Sequence, residues 1–152
     1  MDYSKHLTAT VFSLFLTVST VAQSQVVSAS CSEPKGTRFD QLAGEVKQNS
    51  DGFEGVHPQF VISANSPKLL TIIWPDSKSM GAAARQNAHE AVIISSSPDM
   101  VTAVMLYETR INMYTLFPRR GIVYMSTHRN LDVGQVVANG ALFYMLCKFE
   151  DK

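Results

Sequence analysis

From Pro58 onward the chain is written in short apolar runs, rich in β-branched and aromatic residues and separated by turn formers. Phe60-Val61-Ile62 and Leu69-Leu70-Thr71-Ile72-Ile73-Trp74 flank Asn65-Ser66-Pro67 and predict a hairpin. Ala91 to Ser95 predicts the next strand, Ser96-Ser97-Pro98-Asp99 turns it, and Met100 to Tyr107 runs back. Ile111 to Phe117 and Ile122 to Thr127 face each other across Pro118-Arg119-Arg120-Gly121, where proline presets the bend and glycine ends it. A polar loop is expected over residues 129–140, and Ala141 to Phe149 as the closing strand. About seven strands at this spacing predict an all-β, mainly antiparallel fold, a small barrel or sandwich.

Two stretches read differently. Met80 to His89 is alanine-rich and predicts one short helical segment. Residues 31–57 are polar and rich in turn formers, although Phe39, Leu42 and Val46 lie at the spacing of a short helix interrupted by Gly44. Met100–Tyr107 and Ala141–Phe149 carry apolar side chains on both faces. Such strands are covered on both sides, by the 80–89 segment, by another subunit, or by a central place in the fold.

The front of the chain changes the picture of where this domain resides. Leu7 to Ala22 is an apolar run preceded by Lys5 and His6, and small residues follow at Thr20-Val21-Ala22 and again at Val27-Ser28-Ala29. This is the layout of a secretory signal peptide over residues 1–22, with cleavage after Ala29 as the alternative; the run is short for a membrane span. An uncleaved anchor is the rival reading. A lipoprotein is disfavoured because Val27-Ser28-Ala29-Ser30 lacks a leucine three places before Cys31. Cleavage leaves about 130 of the 152 residues, enough for a single β-domain, placed at 31–150. The chain holds two cysteines, Cys31 and Cys147, one at each end of that domain; export predicts a disulfide between them and a periplasmic or secreted location.

Charge removes some function classes. Thirteen basic residues balance thirteen acidic ones, and losing the head removes one of each, Lys5 and Asp2. A neutral chain has no general attraction for nucleic acid or anionic lipid, and no stable membrane span is expected after cleavage.

The candidate chemistry is sparse. His57, His89 and His128 are not neighbours, and the cysteines are committed to each other, so neither a metal site nor a cofactor is expected. His89-Glu90 opens like a metalloprotease helix motif, but Ile93 stands where the second histidine belongs. No Gly-x-Ser-x-Gly elbow marks a nucleophile. His128 with Asp132 can serve as a base and its orienting acid, where a surface histidine at a strand end is the plainer reading. Arg129 adjoins them. Arg119 and Arg120 can grip a carboxylate or phosphate, or simply be a solvated turn. Glu45, Asp51 and Glu54 lie in a glycine-rich stretch with no apolar wall to raise a carboxyl pKa. Trp74 closes an apolar strand, with core packing as its default role. Methionines on the expected strands suit an adaptable apolar cavity as well as an irregular core.

Cys31-Ser32-Glu33-Pro34-Lys35-Gly36-Thr37-Arg38, then Tyr114-Thr115-Leu116-Phe117-Pro118 and Gly121 through His128 ahead of a late cysteine, resemble small uncharacterised exported proteins of Gram-negative bacteria. The resemblance implies export and a compact β-fold, and brings no activity with it. The sequence therefore leads to an exported, non-enzymatic β-domain that binds a protein partner or a small apolar ligand, in the manner of an inhibitor or carrier. The alternatives are a small envelope-polymer hydrolase using His128 and a carboxylate, and an envelope structural component.

Overall fold

The computed structural model describes residues 27–42, 44–75, 87–132 and 136–151. Ten strands lie among them: β1 (Val27–Cys31), β2 (Lys35–Leu42), β3 (Glu45–Gly52), β4 (Gln59–Ile62), β5 (Leu69–Trp74), β6 (Asn87–Ser96), β7 (Val101–Leu106), β8 (Arg110–Phe117), β9 (Ile122–Asp132) and β10 (Val136–Asp151). Every pairing is antiparallel. The order β1-β4-β5-β6-β7-β8-β9-β10 returns to β1 and closes an eight-stranded barrel.

Strand β10 makes that closure by changing neighbours along its length. Its Asn139–Tyr144 half pairs with β2, while Cys147–Asp151 pairs with β1. The β2–β3 hairpin therefore leaves the barrel as an arm, with almost all of β3 exposed. Gly36 permits the close approach, since a Cβ there would collide with the backbone carbonyl of Leu142.

Side chains alternate as a half-buried barrel requires. Asn112, Tyr114 and Leu116 of β8 point inward and Ile111 and Met113 outward; on β9, Val123, Met125 and Thr127 are buried. Phe60, Leu70, Ile72, Tyr114, Leu116, Phe143 and Met145 are fully enclosed. An eight-stranded barrel is just wide enough for side chains to fill, or to hold one small ligand. Here an apolar cluster of eighteen buried residues, among them Phe60, Leu70, Ile72, Leu116 and Met145, packs the interior. No helix of the described residues is long and apolar enough to cross a membrane. Strands β4, β5 and β7 have four to six residues, against about nine to eleven for a transmembrane strand.

The seven expected strands are all present, and β1, β2 and β3 are additional. Phe39 to Val46 is not helical: it is the β2–β3 hairpin, with Gly44 at φ 86° in its turn. Residues 129–140 are not simply a loop, because β9 continues to Asp132 and β10 starts at Val136. Of the expected helix at Met80–His89, Asn87–His89 belong to β6 and the remainder lies outside the described residues. A 3-10 turn forms instead at Pro118–Arg120, ended by Gly121 at φ 63°. Strand β1 begins at Val27, so the barrel includes residues ahead of Cys31. Cys31 and Cys147 stand directly opposite on β1 and β10 and are disulfide-bonded.

Candidate ligand site at the barrel mouth

The open end lies where β5 finishes, β6 starts and the β7–β8 turn crosses. A cavity of about 190 Å³ opens there, walled by Phe53, Trp74, His89, Tyr107, Arg110, Asn112, Tyr114, Met125, Thr127 and Arg129. Strand alternation explains this set. On β8 the inward positions Arg110, Asn112, Tyr114 and Leu116 run from polar to apolar; on β9 the inward positions Arg129, Thr127, Met125 and Val123 do the same. The two series are in register, with Arg110 opposite Arg129 and Asn112 opposite Thr127. Phe53 comes from the segment after β3. Its N–H donates to the Pro34 carbonyl at 3.1 Å, and its ring lies 5.7 Å from Trp74 and 5.1 Å from Phe143. Aromatic surface thus forms one wall and polar side chains the other.

The polar wall is under-satisfied. Asn112 and Thr127 are each 8 % exposed. Asn112 Nδ2 donates to the Tyr114 hydroxyl at 3.3 Å, but Asn112 Oδ1 and Thr127 Oγ1 have no hydrogen-bond partner among the described residues. The same holds for Nε of Arg110 and of Arg129. The Tyr107 ring lies 4.0 Å beneath the Arg110 guanidinium, a contact that orients the cation without neutralising it. The ion pairs among the described residues lie elsewhere: Arg38 with Asp40 and Asp51 on the arm, and Arg119 with Asp99.

Burial pushes the Tyr114 hydroxyl up to about 12, against opposing contributions from the Asn112 hydrogen bond and the Arg110 charge. With the folded pKa raised above an unfolded value of about 10, the contribution is complete below pH 10 and is lost as pH climbs toward 12. The loss is about 2–3 kcal/mol at 1.4 kcal/mol per unit. Thermal melts across this window should fall steeply for the native chain and less for Tyr114→Phe; parallel curves would sink the assignment.

The sequence candidates separate into groups. Trp74 and Arg129 meet at the mouth. His128, between two inward neighbours, is exposed on the outer face. It shares the continuous strand β9 with Asp132, roughly 13 Å away at 3.3 Å per residue. That separation is too great for a base and its orienting acid. Arg119 and Arg120 sit in the turn at the opposite end of the barrel; Arg119 contacts Asp99 at 2.9 Å, with both side chains well exposed. His89, weighed by sequence only as a metal ligand and set aside, also lines the mouth; Arg110, Asn112, Thr127 and Phe53 were not singled out by sequence. The available signal was the period-2 series in β8 and β9, each ending in polar residues at inward positions.

A second depression, of about 270 Å³, lies outside the barrel against Ser32, Glu33, Lys35, His57, Tyr144 and Leu146. Two of its polar groups are already engaged: Glu33 Oε1 accepts from the Gly55 N–H at 2.8 Å and Ser32 Oγ from the Leu146 N–H at 3.0 Å. The outer faces of β7, β8 and β10 carry exposed apolar residues, Leu106, Ile111, Met113, Leu142, Tyr144 and Leu146. Nothing among the described residues covers the outward apolar side chains of β7 and β10. No protein-family model matches the chain, and no curated protein matches it.

Proposed function

We propose that this protein is an exported, non-catalytic β-barrel that binds a small ligand in its mouth. The observation that carries the reading is the facing pair Asn112 and Thr127, nine-tenths buried, opening onto a cavity with one polar atom each unpartnered. A buried polar atom without a partner costs about 1–3 kcal/mol, and a fold that needs only packing has no use for it. The deep part of the barrel is filled by its own side chains, so the ligand is amphipathic rather than wholly apolar. Export is supported by the signal-like head and by a disulfide suited to an oxidising compartment.

Thr127→Val tests the reading on the protein itself. If Oγ1 serves a ligand and not the fold, the variant should keep or raise its melting temperature, with a gain of up to about 1–2 kcal/mol. Destabilisation by a similar amount would make the hydroxyl a structural group and remove the main support.

The hydrolase alternative is less favoured, because His128, on which it was built, is exposed and does not line the described cavity. A protein partner is the second reading. It is favoured by the apolar outer face, where Leu106 is 72 % and Leu146 61 % exposed, a density that scattered surface residues do not give.

A further inference from the structure

We infer that the mouth selects a small planar organic carboxylate, its oxygens held between Arg110 and Arg129 and its flat body against Trp74 and Phe53. The inference rests on the reading of the mouth as a ligand site and names the class of ligand. Arg110 and Arg129 are directly opposite on adjacent strands. Like charges in that position repel, and no carboxylate among the described residues stands between them. Both Nε atoms are buried and unpartnered at the cavity. A guanidinium presents its donors as a planar fork that matches a carboxylate in two parallel hydrogen bonds. Two such forks side by side define an anion position, and Tyr107 beneath Arg110 fixes one of them.

The remaining walls define the rest of the ligand. Phe53 and Trp74 are tilted by 49° and lie 5.7 Å apart, which presents aromatic surface to an edge or a face. A dry cavity of about 150 Å³ holds one benzene ring. The mouth, at about 190 Å³, takes a ring with one carboxylate. Asn112 Oδ1 and Thr127 Oγ1 are left to meet a donor on the ligand body.

The test is calorimetric titration of the oxidised chain, freed of its first 22 residues, with three isosteres: benzoate, benzamide and benzamidinium. Benzoate should bind at least about tenfold more tightly than benzamide, the factor that one charge-assisted hydrogen bond supplies, and benzamidinium should not bind. Arg110→Gln and Arg129→Gln should each erase the benzoate preference while leaving the weaker benzamide affinity within about twofold. Arg129→Lys, which keeps the charge and loses the fork, should fall between. Equal binding of benzoate and benzamide would overturn the carboxylate assignment and leave the ligand site standing. Inorganic phosphate binding as tightly as benzoate would reduce the arginines to a bare anion site and overturn the organic class. No binding by any probe would overturn the ligand site itself, and this inference with it. The comparison among isosteres is made on the native chain, so it stands even if a variant fails to fold.

Discussion

Reduction of the Cys31–Cys147 bond should lower the melting temperature by roughly 10–20 °C. The two residues are separated by 116 positions and meet directly opposite on β1 and β10. In the chain-entropy description a loop of that length contributes about 4–5 kcal/mol, a large share of the roughly 5–15 kcal/mol that holds a domain of this size. Its place in the fold adds a mechanical reason. The β1–β10 pairing is the seam that turns an open sheet into a barrel, and β10 is there exchanging one neighbour for another. Without the covalent tie, the seam rests on the five paired residues of β1 and the Ser32–Leu146 hydrogen bonds beside them. Cys31→Ser, Cys147→Ser and the double variant should melt at similar temperatures, because each removes the same cross-link. A shift below about 3 °C in scanning calorimetry would show that the ladder suffices without it.

How far the fold was legible follows from the chemistry of each strand. Strands β4 to β10 carry enough β-branched and aromatic residues, between recognisable turns, to announce themselves; the Pro118–Gly121 turn and the pairing across it emerge as expected. Strands β2 and β3 do not. Glu45 to Gly52 lies almost wholly in solvent on both faces, so burial imposes no alternation on it, and Phe39, Leu42 and Val46 fall at helical spacing by accident of composition. Strand β1 was hidden for another reason. Val27-Ser28-Ala29 looks like a cleavage site, because small residues suit both a peptidase and the crowded seam of a barrel.

The site was legible only in fragments. Trp74 and Arg129 were visible as residues of the right kind, but what makes them a site is the closure of the barrel, which brings β5 and β9 to one mouth. His128 drew attention as a polar residue at a strand end, and one position keeps it out of the mouth: its neighbours Thr127 and Arg129 take the inward places. Asn112 was the informative residue. A polar side chain in the inward series that leads to Tyr114 and Leu116 breaks the apolar pattern without ending the strand, and such breaks belong to binding sites more often than to packing.

A chain that starts at Ser30 should fail to form a stable barrel, whereas one that starts at Gln23 should fold. The shorter chain is what cleavage after Ala29 would release, and it lacks Val27, Ser28 and Ala29. These residues pair on one side with Ile62, Val61 and Phe60 and on the other with Asp151, Glu150 and Phe149. Val27 and Ala29 are buried, Ala29 to 1 % exposure. Loss of ladder hydrogen bonds at about 1 kcal/mol each, with burial of a valine at about 1.5–3 kcal/mol, exceeds about 5 kcal/mol in total. It also frees edges on β4 and β10 that invite pairing with other chains. Removing these three residues is therefore at least as damaging as removing the disulfide. Circular dichroism and sedimentation of the two chains decide the matter: the Ser30 chain should be aggregated or molten where the Gln23 chain melts cooperatively. Comparable melts within about 3 °C would mean that the seam tolerates a two-residue β1. If the expected difference is found, a peptidase cutting after Ala29 would destroy its own product, and N-terminal sequencing of exported protein should read from Gln23.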